Sequence, residues 1–111
     1  MNGYYRFPTI NNSKIVFVAD DDLWIVKLND SKAYRLTTNL SEVSSPLLSP
    51  DGKLIAYVGT EDGNSEVYLM SSNGGPSIRL TYDGVFVSRI CSWDGNDIIF
   101  ATDLSQPFGR V

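Results

Sequence analysis

Histidine is absent from the 111-residue chain, and with it goes the imidazole that a Ser-His-Asp triad needs to take up the serine proton. No other base stands beside a serine in a recognisable pattern, and the Gly-x-Ser-x-Gly elbow is missing; Gly63-Asn64-Ser65 belongs to a hairpin loop. Cysteine is reduced to Cys91, which has no partner for an internal disulfide. It sits in an apolar strand pattern, so a small buried hydrophobe is favoured over a reactive thiol, and the redox compartment is left open. No run approaches the about 18 apolar residues of a membrane helix, and Met1-Asn2-Gly3-Tyr4-Tyr5-Arg6 does not open a secretory leader. No membrane contact is expected, and the cytoplasm is the default location. Basic residues are scarce: nine Lys and Arg against thirteen Asp and Glu, net −4, set singly along the chain. That leaves no stripe to neutralise phosphates, which argues against nucleic acid as a partner. Helical periodicity is missing as well, since no window of ten or more residues places apolar side chains at i, i+3, i+4 and i+7.

What the chain does have is turns at close spacing. Leu47 to Gly84 reads as four short strands: Ser44 to Ser49, Lys53 to Thr60, Glu66 to Ser71 and Ser77 to Tyr82. They are divided by Ser49-Pro50-Asp51-Gly52, Glu61-Asp62-Gly63-Asn64 and Gly74-Gly75-Pro76. Runs of about five β-branched and aromatic residues bounded by Asp-Gly or Gly-Gly are hairpin signals, so the stretch is one antiparallel sheet.

The unit recurs. Arg35-Leu36-Thr37 returns as Arg79-Leu80-Thr81, 44 residues on, and Asp51-Gly52 with Ile55 and Tyr57 returns as Asp94-Gly95 with Ile98 and Phe100, 43 residues on. Ile15 and Phe17 hold the same place 40 residues before Ile55 and Tyr57. A period of roughly 40–45 residues with four strands is that of a β-propeller blade; a β-sandwich with chance similarity is the competing reading. The fold class is therefore all-β, a partial propeller over 1–111 made of four-stranded antiparallel blades: blade one about 6–39, blade two about 44–84, and the first half of blade three about 85–111.

In blade one the pattern predicts strands over Tyr5 to Ile10, Lys14 to Ala19, Leu23 to Leu28 and Ala33 to Thr37, with Asn11-Asn12-Ser13, Asp20-Asp21-Asp22 and Asn29-Asp30-Ser31 as turns. One residue fewer stands before Ile15 than before Ile55, which predicts a shorter first turn. The second strands, Ile15 to Val18, Leu54 to Val58 and Ile98 to Ala101, are apolar at nearly every position, as expected of strands covered on both faces. Blade three shows Phe86 to Trp93 and Asp97 to Thr102, after which Asp103 to Val111 carries no strand signal, so its outer two strands are expected to be missing. Rings close with about four to eight blades, and at about two and a half the chain cannot close alone. It is expected to be the amino-terminal piece of a longer protein, with a ring of several copies as the alternative.

Other motifs carry little chemistry. Asp20-Asp21-Asp22 lacks the alternating ligands and closing Glu of a calcium loop and reads as a solvated turn. Gly74-Gly75-Pro76 lacks the Lys-Ser/Thr pair of a phosphate cradle and precedes a strand. Trp93 and Tyr82 could stack a ligand but fit blade packing better. Asn11-Asn12-Ser13, Asn29-Asp30-Ser31 and Asn39-Leu40-Ser41 match the glycosylation acceptor pattern without an export signal and are discounted. No cofactor or metal is called for.

At Asp21-Asp22-Leu23-Trp24, preceded by Ile15-Val16-Phe17-Val18, at Ser49-Pro50-Asp51-Gly52-Lys53, and at Thr102-Asp103 with Gln106-Pro107-Phe108, the chain resembles the amino-terminal propeller of the archaeal tricorn protease family. The Ser-Pro-Asp-Gly-Lys element alone is also similar to TolB-type and prolyl-oligopeptidase-type blades. The resemblance implies a large cytoplasmic serine peptidase that assembles as a hexamer and trims oligopeptides released by the proteasome. It implies a six-bladed first propeller acting as a gated channel, in which Trp24 is a blade-core aromatic and Asp21-Asp22 shape the turn before it. The family's catalytic residues lie in domains beyond this length of chain, so no catalytic, cofactor-binding or metal residue is carried over. The expected partners are the remaining blades and peptidase domains of a longer chain, oligopeptides, and further copies in a homo-oligomer. A TolB-like interaction propeller with no peptidase attached is the alternative.

Overall fold

Short apolar runs cut by pairs of Asn, Asp, Ser and Gly leave the backbone little choice but hairpins. The computed structural model describes residues 6–30, 32–37, 42–61, 63–82, 84, 86–102 and 108–111, and among them every regular element is a strand. Tyr5, Ser31, Asn39-Leu40-Ser41 and Gln106-Pro107 lie outside the described residues.

Sheet one contains β1 (Arg6–Asn11), β2 (Lys14–Ala19), β3 (Asp22–Lys27) and β4 (Ala33–Arg35) in sequence order. Asn12 and Ser13 span its first turn and Asp20 and Asp21 its second; all four have left-handed φ, between 49° and 65°. Two-residue loops of that kind match the twist of paired strands, and Asn and Asp adopt it at low cost. Sheet two repeats the order with β5 (Val43–Leu48), β6 (Leu54–Gly59), β7 (Glu66–Ser71) and β8 (Ile78–Arg79). Its first turn runs through Ser49-Pro50-Asp51-Gly52-Lys53, with Gly52 at φ 73°, so the first turn of sheet one is indeed the shorter.

Sheet three departs from expectation. Beyond β9 (Val87–Asp94) and β10 (Asp97–Thr102) a further strand, β11 (Phe108–Arg110), pairs antiparallel with β10, giving the order β11-β10-β9. The two-strand half-blade is corrected to three strands, and the edge of β10 expected to stand open is covered. The backbone of Ile98 and Val111 exchanges two hydrogen bonds, at 2.6 and 2.9 Å. Arg110 donates to Asp97 and Asp94, each at 2.7 Å, which ties β11 to the β9–β10 hairpin.

The three sheets stack face to face in an arc. One core lies between sheets one and two, where Val16, Val18, Leu23 and Ile25 meet Ile55, Tyr57, Tyr68 and Met70. The second lies between sheets two and three, where Ala56, Val58 and Val67 meet Ile90, Ile98 and Phe100. Sheet two is thus apolar on both faces because both are covered, which accounts for the unbroken burial of Ile55 to Gly59. First strands of neighbouring sheets pack on each other, β1 on β5 and β5 on β9, while the fourth strands β4 and β8 do not pack comparably. First strands therefore converge on the concave side and later strands fan outward, as in an open, unclosed propeller.

Candidate functional site

Among the polar contacts of the fold, one buried set repeats and a second set, nearer the surface, joins the sheets. Asp22 opens β3 and Glu66 opens β7, 44 residues on, and each is 1% exposed. Thr37 donates its hydroxyl to Asp22 Oδ1 at 2.6 Å and accepts the Leu23 amide at 3.0 Å. Thr81 does the same with Glu66 Oε1 at 2.6 Å and the Val67 amide at 2.9 Å. The remaining oxygens are also engaged. Arg35 Nε stands 3.6 Å from Asp22 Oδ2, and the Gly84 amide donates to Glu66 Oε2 at 3.3 Å. These clamps hold the chain leaving each fourth strand against the start of the third. The Thr of the Arg-Leu-Thr repeat had been legible only as a landmark; its carboxylate partner at the same 44-residue offset was the signal that could have found the clamp. Asp22 is accordingly not a solvated turn residue, as the Asp-Asp-Asp run had suggested: Asp20 and Asp21 make the turn, and Asp22 is pulled inside by Thr37.

The seams between sheets carry the second set. Asn11 donates to Ser49 O at 2.6 Å and Pro50 O at 2.9 Å, Asn12 to Asp51 O at 2.7 Å, and Lys14 Nζ to Gly52 O at 3.0 Å. The first turn of sheet one is thereby sewn to that of sheet two, and the Asn11 amide has a structural occupation. Asp51 binds its own turn, accepting from Ser49 Oγ at 2.7 Å and the Lys53 amide at 2.9 Å, and these bonds hold its carboxyl below the ordinary range. Between sheets two and three, Trp93 packs on the core and donates its indole N–H to Leu47 O at 3.0 Å. Tyr82, grouped with Trp93 as a packing aromatic, is 54% exposed, with the Arg79 guanidinium 4.2 Å above its ring. Cys91 is half-buried in β9.

Tyr57 stands apart from its counterparts. Phe17 and Phe100 hold the equivalent place in the other sheets, yet Tyr57 adds a hydroxyl that is buried without a hydrogen-bond partner. Its ring stacks on Tyr68 at 5.6 Å beside a cavity of about 330 Å³ lined by Leu36, Glu61, Met70 and Pro76. Burial pushes this phenol up; the Ser77 hydroxyl, near the phenol but outside hydrogen-bond geometry, opposes the rise, and the Glu61 carboxylate adds to it.

The end sheets leave partly exposed several side chains whose equivalents sheet two buries. Ile15, Trp24 and Val26 point away from sheet two and are partly exposed, whereas their equivalents Ile55, Tyr68 and Met70 are 0%, 2% and 3% exposed against sheet one. Trp24 donates its indole N–H to Ala19 O at 3.2 Å, and Arg35 lies 5.2 Å from its ring centroid. On sheet three, Ile99 and Phe108 alternate with the residues that face sheet two, and Phe108 is 60% exposed. Among the described residues no nucleophile is brought together with a base; what they offer is a wall of stacked sheets with two partly exposed end faces.

The family model described as the tricorn protease N-terminal beta propeller domain matches residues 2–111. The chain is 38% identical, over 97% of its length, to a putative tricorn protease homolog 2 of Streptomyces coelicolor, of which it covers 10%. It is 34% identical, again over 97% of its length, to a putative Tricorn-like protease N-terminal subunit of Sulfurisphaera tokodaii, of which it covers 57%. The crystal structure of the tricorn protease superposes with a TM-score of 0.75 at 25% identity, over 93% of this chain and 11% of that one. A TolB from Acinetobacter baumannii shares the fold, with a TM-score of 0.72 at 22% identity over 99% of this chain and 29% of that one. The chain thus spans about a tenth of the long relatives and little over half of the short one.

Proposed function

The chain belongs to the family of the tricorn protease N-terminal beta propeller domain, and from that membership we propose that it is the non-catalytic propeller segment of a tricorn-like serine peptidase of the cytoplasm. It serves as scaffold and as wall of a channel for oligopeptides, and completes its ring with further blades within a homo-oligomeric enzyme. The observation that carries this reading is the family match over residues 2–111 together with the partly exposed end faces, on which Ile15, Trp24 and Val26 await the cover that Ile55, Tyr68 and Met70 receive.

Three polypeptides test it: residues 1–111 alone, the protein encoded by the whole reading frame, and that protein without residues 1–111. Fluorogenic oligopeptides are expected to survive the first, which has no histidine. The second is expected to cleave them, and the third to lose assembly or length selectivity. A reading frame that encodes only about four to eight blades and then stops would overturn the peptidase reading. It would favour the TolB-like interaction propeller, whose fold likeness supports it.

A further inference from the structure

On the concave side of the arc, the first strand of each sheet is an edge strand, and an open edge of that kind ordinarily binds extended peptide by strand addition. Here each one is interrupted at the same level. β1 carries one extra residue between Arg6 and Thr9, β5 one between Ser44 and Leu47, and β9 one between Ile90 and Ser92; these bulges lie beside Phe17, Tyr57 and Phe100, which are equivalent positions. Pro8 and Pro46 fall within the first two bulges and have no N–H to offer. Ser45, at φ 55°, turns its hydroxyl sideways onto the next sheet, where it accepts the Ile90 amide at 2.9 Å. Thr9 accepts the Leu48 amide at 3.3 Å. The Val87 amide goes to Ser65 O at 3.0 Å, and Leu47 O takes the Trp93 indole. On β5 and β9 the Leu48, Val87 and Ile90 amides, donors that a passing strand would pair with, are thus already held by the neighbouring sheet, while on β1 the bulge and Pro8 interrupt the edge.

We propose that the rim formed by β1, β5 and β9 is sealed against strand addition, so that an extended oligopeptide running along it is held by side chains alone and slides past. The inference rests on the reading of the chain as a peptide-conducting wall, and adds to it how that wall treats its cargo. Bulges in edge strands break the regular spacing of donors and acceptors, and hydroxyl caps from the preceding sheet occupy donors that remain. A main-chain trap would hold every sequence it met, whereas a capped rim lets peptides move on.

Hydrogen exchange of the 111-residue chain, read amide by amide by NMR, tests this with a blocked alternating Thr-Val peptide of about six residues, a strand-forming length. The unaltered chain is expected to gain no protection over 43–48 or 87–94 when the peptide is added. In the Thr9→Val, Ser45→Gly variant the Leu48 and Ile90 amides are expected to exchange on the order of tenfold faster, and to regain protection with peptide. Peptide-induced protection of β5 or β9 in the unaltered chain would overturn the proposal. So would unchanged exchange in the variant, or freed amides that still ignore the peptide. Protection retained across β6 and β7 reports that the variant is folded; should it unfold, the unaltered chain decides alone. None of these readouts involves hydrolysis, so failure here leaves the peptidase reading standing, and failure of that reading leaves the rim result intact.

Discussion

Thr37 and Thr81 each satisfy two partners at once, a buried carboxylate oxygen and a strand amide. Thr81→Val keeps the shape but orphans Glu66 Oε1 and the Val67 amide. Leaving a buried polar group unpaired costs about 1–3 kcal/mol, so a loss of at least about 2 kcal/mol is expected in urea unfolding, with Thr81→Ser restoring most of it. Tyr57 points the other way, because its hydroxyl is the unpaired group. Tyr57→Phe, the residue present at 17 and 100, is expected to stabilise the chain by about 1 kcal/mol. It should also remove an alkaline weakness. A phenol held above its ordinary value of 10.0 favours the folded chain below that pH, and the contribution disappears as pH rises through the folded value. Asp51 shows the opposite sign: held below 3.8, it steadies its turn above that pH and ceases to as pH falls through the lower folded value. The Lys53 amide should report this in an NMR titration with a midpoint under 3.8, and the response should vanish in Asp51→Asn. The Ser-Pro-Asp-Gly turn was legible in the sequence because its chemistry is local. The Asp22–Thr37 clamp was not, since its partners are 15 residues apart and an aspartate in a run of three reads as surface.

Strands were legible where about six residues of apolar run meet a turn pair. Lys14–Ala19, Glu66–Ser71 and Asp97–Thr102 fall where the pattern predicts them. β11 escaped because Phe108-Gly109-Arg110 is too short to show alternation, and what makes it a strand lies on β10. Gly109 sits opposite Phe100, whose ring occupies the space a Cβ at 109 would need. Gly109→Ala therefore forces a core aromatic to move, at a cost of about 1–3 kcal/mol. Arg110→Ala removes exposed ion pairs that water screens and that contribute little. Packing should outweigh charge: the Ile98 and Val111 amides are expected to exchange much faster in Gly109→Ala and only slightly faster in Arg110→Ala. Equal effects would mean that the ion pairs, rather than the close approach of β11 to Phe100, hold this strand.

For the whole arc, the period of the landmarks was enough to read three stacked sheets, but not how the end faces are met. With β10 covered by β11, its edge offers no site for pairing with another chain, and the end faces remain. Ile15, Trp24 and Val26 on one end and Ile99 on the other are partly exposed apolar or aromatic side chains, and Phe108 beside Ile99 is 60% exposed. Full burial of such a residue is worth about 1.5–3 kcal/mol; roughly a third of that or less is still to be gained by each of the first four, and somewhat over half by Phe108. Five together supply roughly 1–6 kcal/mol, against an association cost of roughly 4–15 kcal/mol. The balance is at best near zero, so the isolated chain is expected to self-associate weakly, with monomer dominating when dilute and dimers appearing as concentration rises. Sedimentation equilibrium over about a hundredfold range should show that drift. Phe108→Glu, at a 60% exposed position, should abolish it while leaving thermal unfolding within about 0.5 kcal/mol of the parent. A dimer that persists at every concentration and ignores Phe108→Glu would place the contact elsewhere, on the free edges of β4 or β8, and the end faces would then need no neighbour to be stable in water.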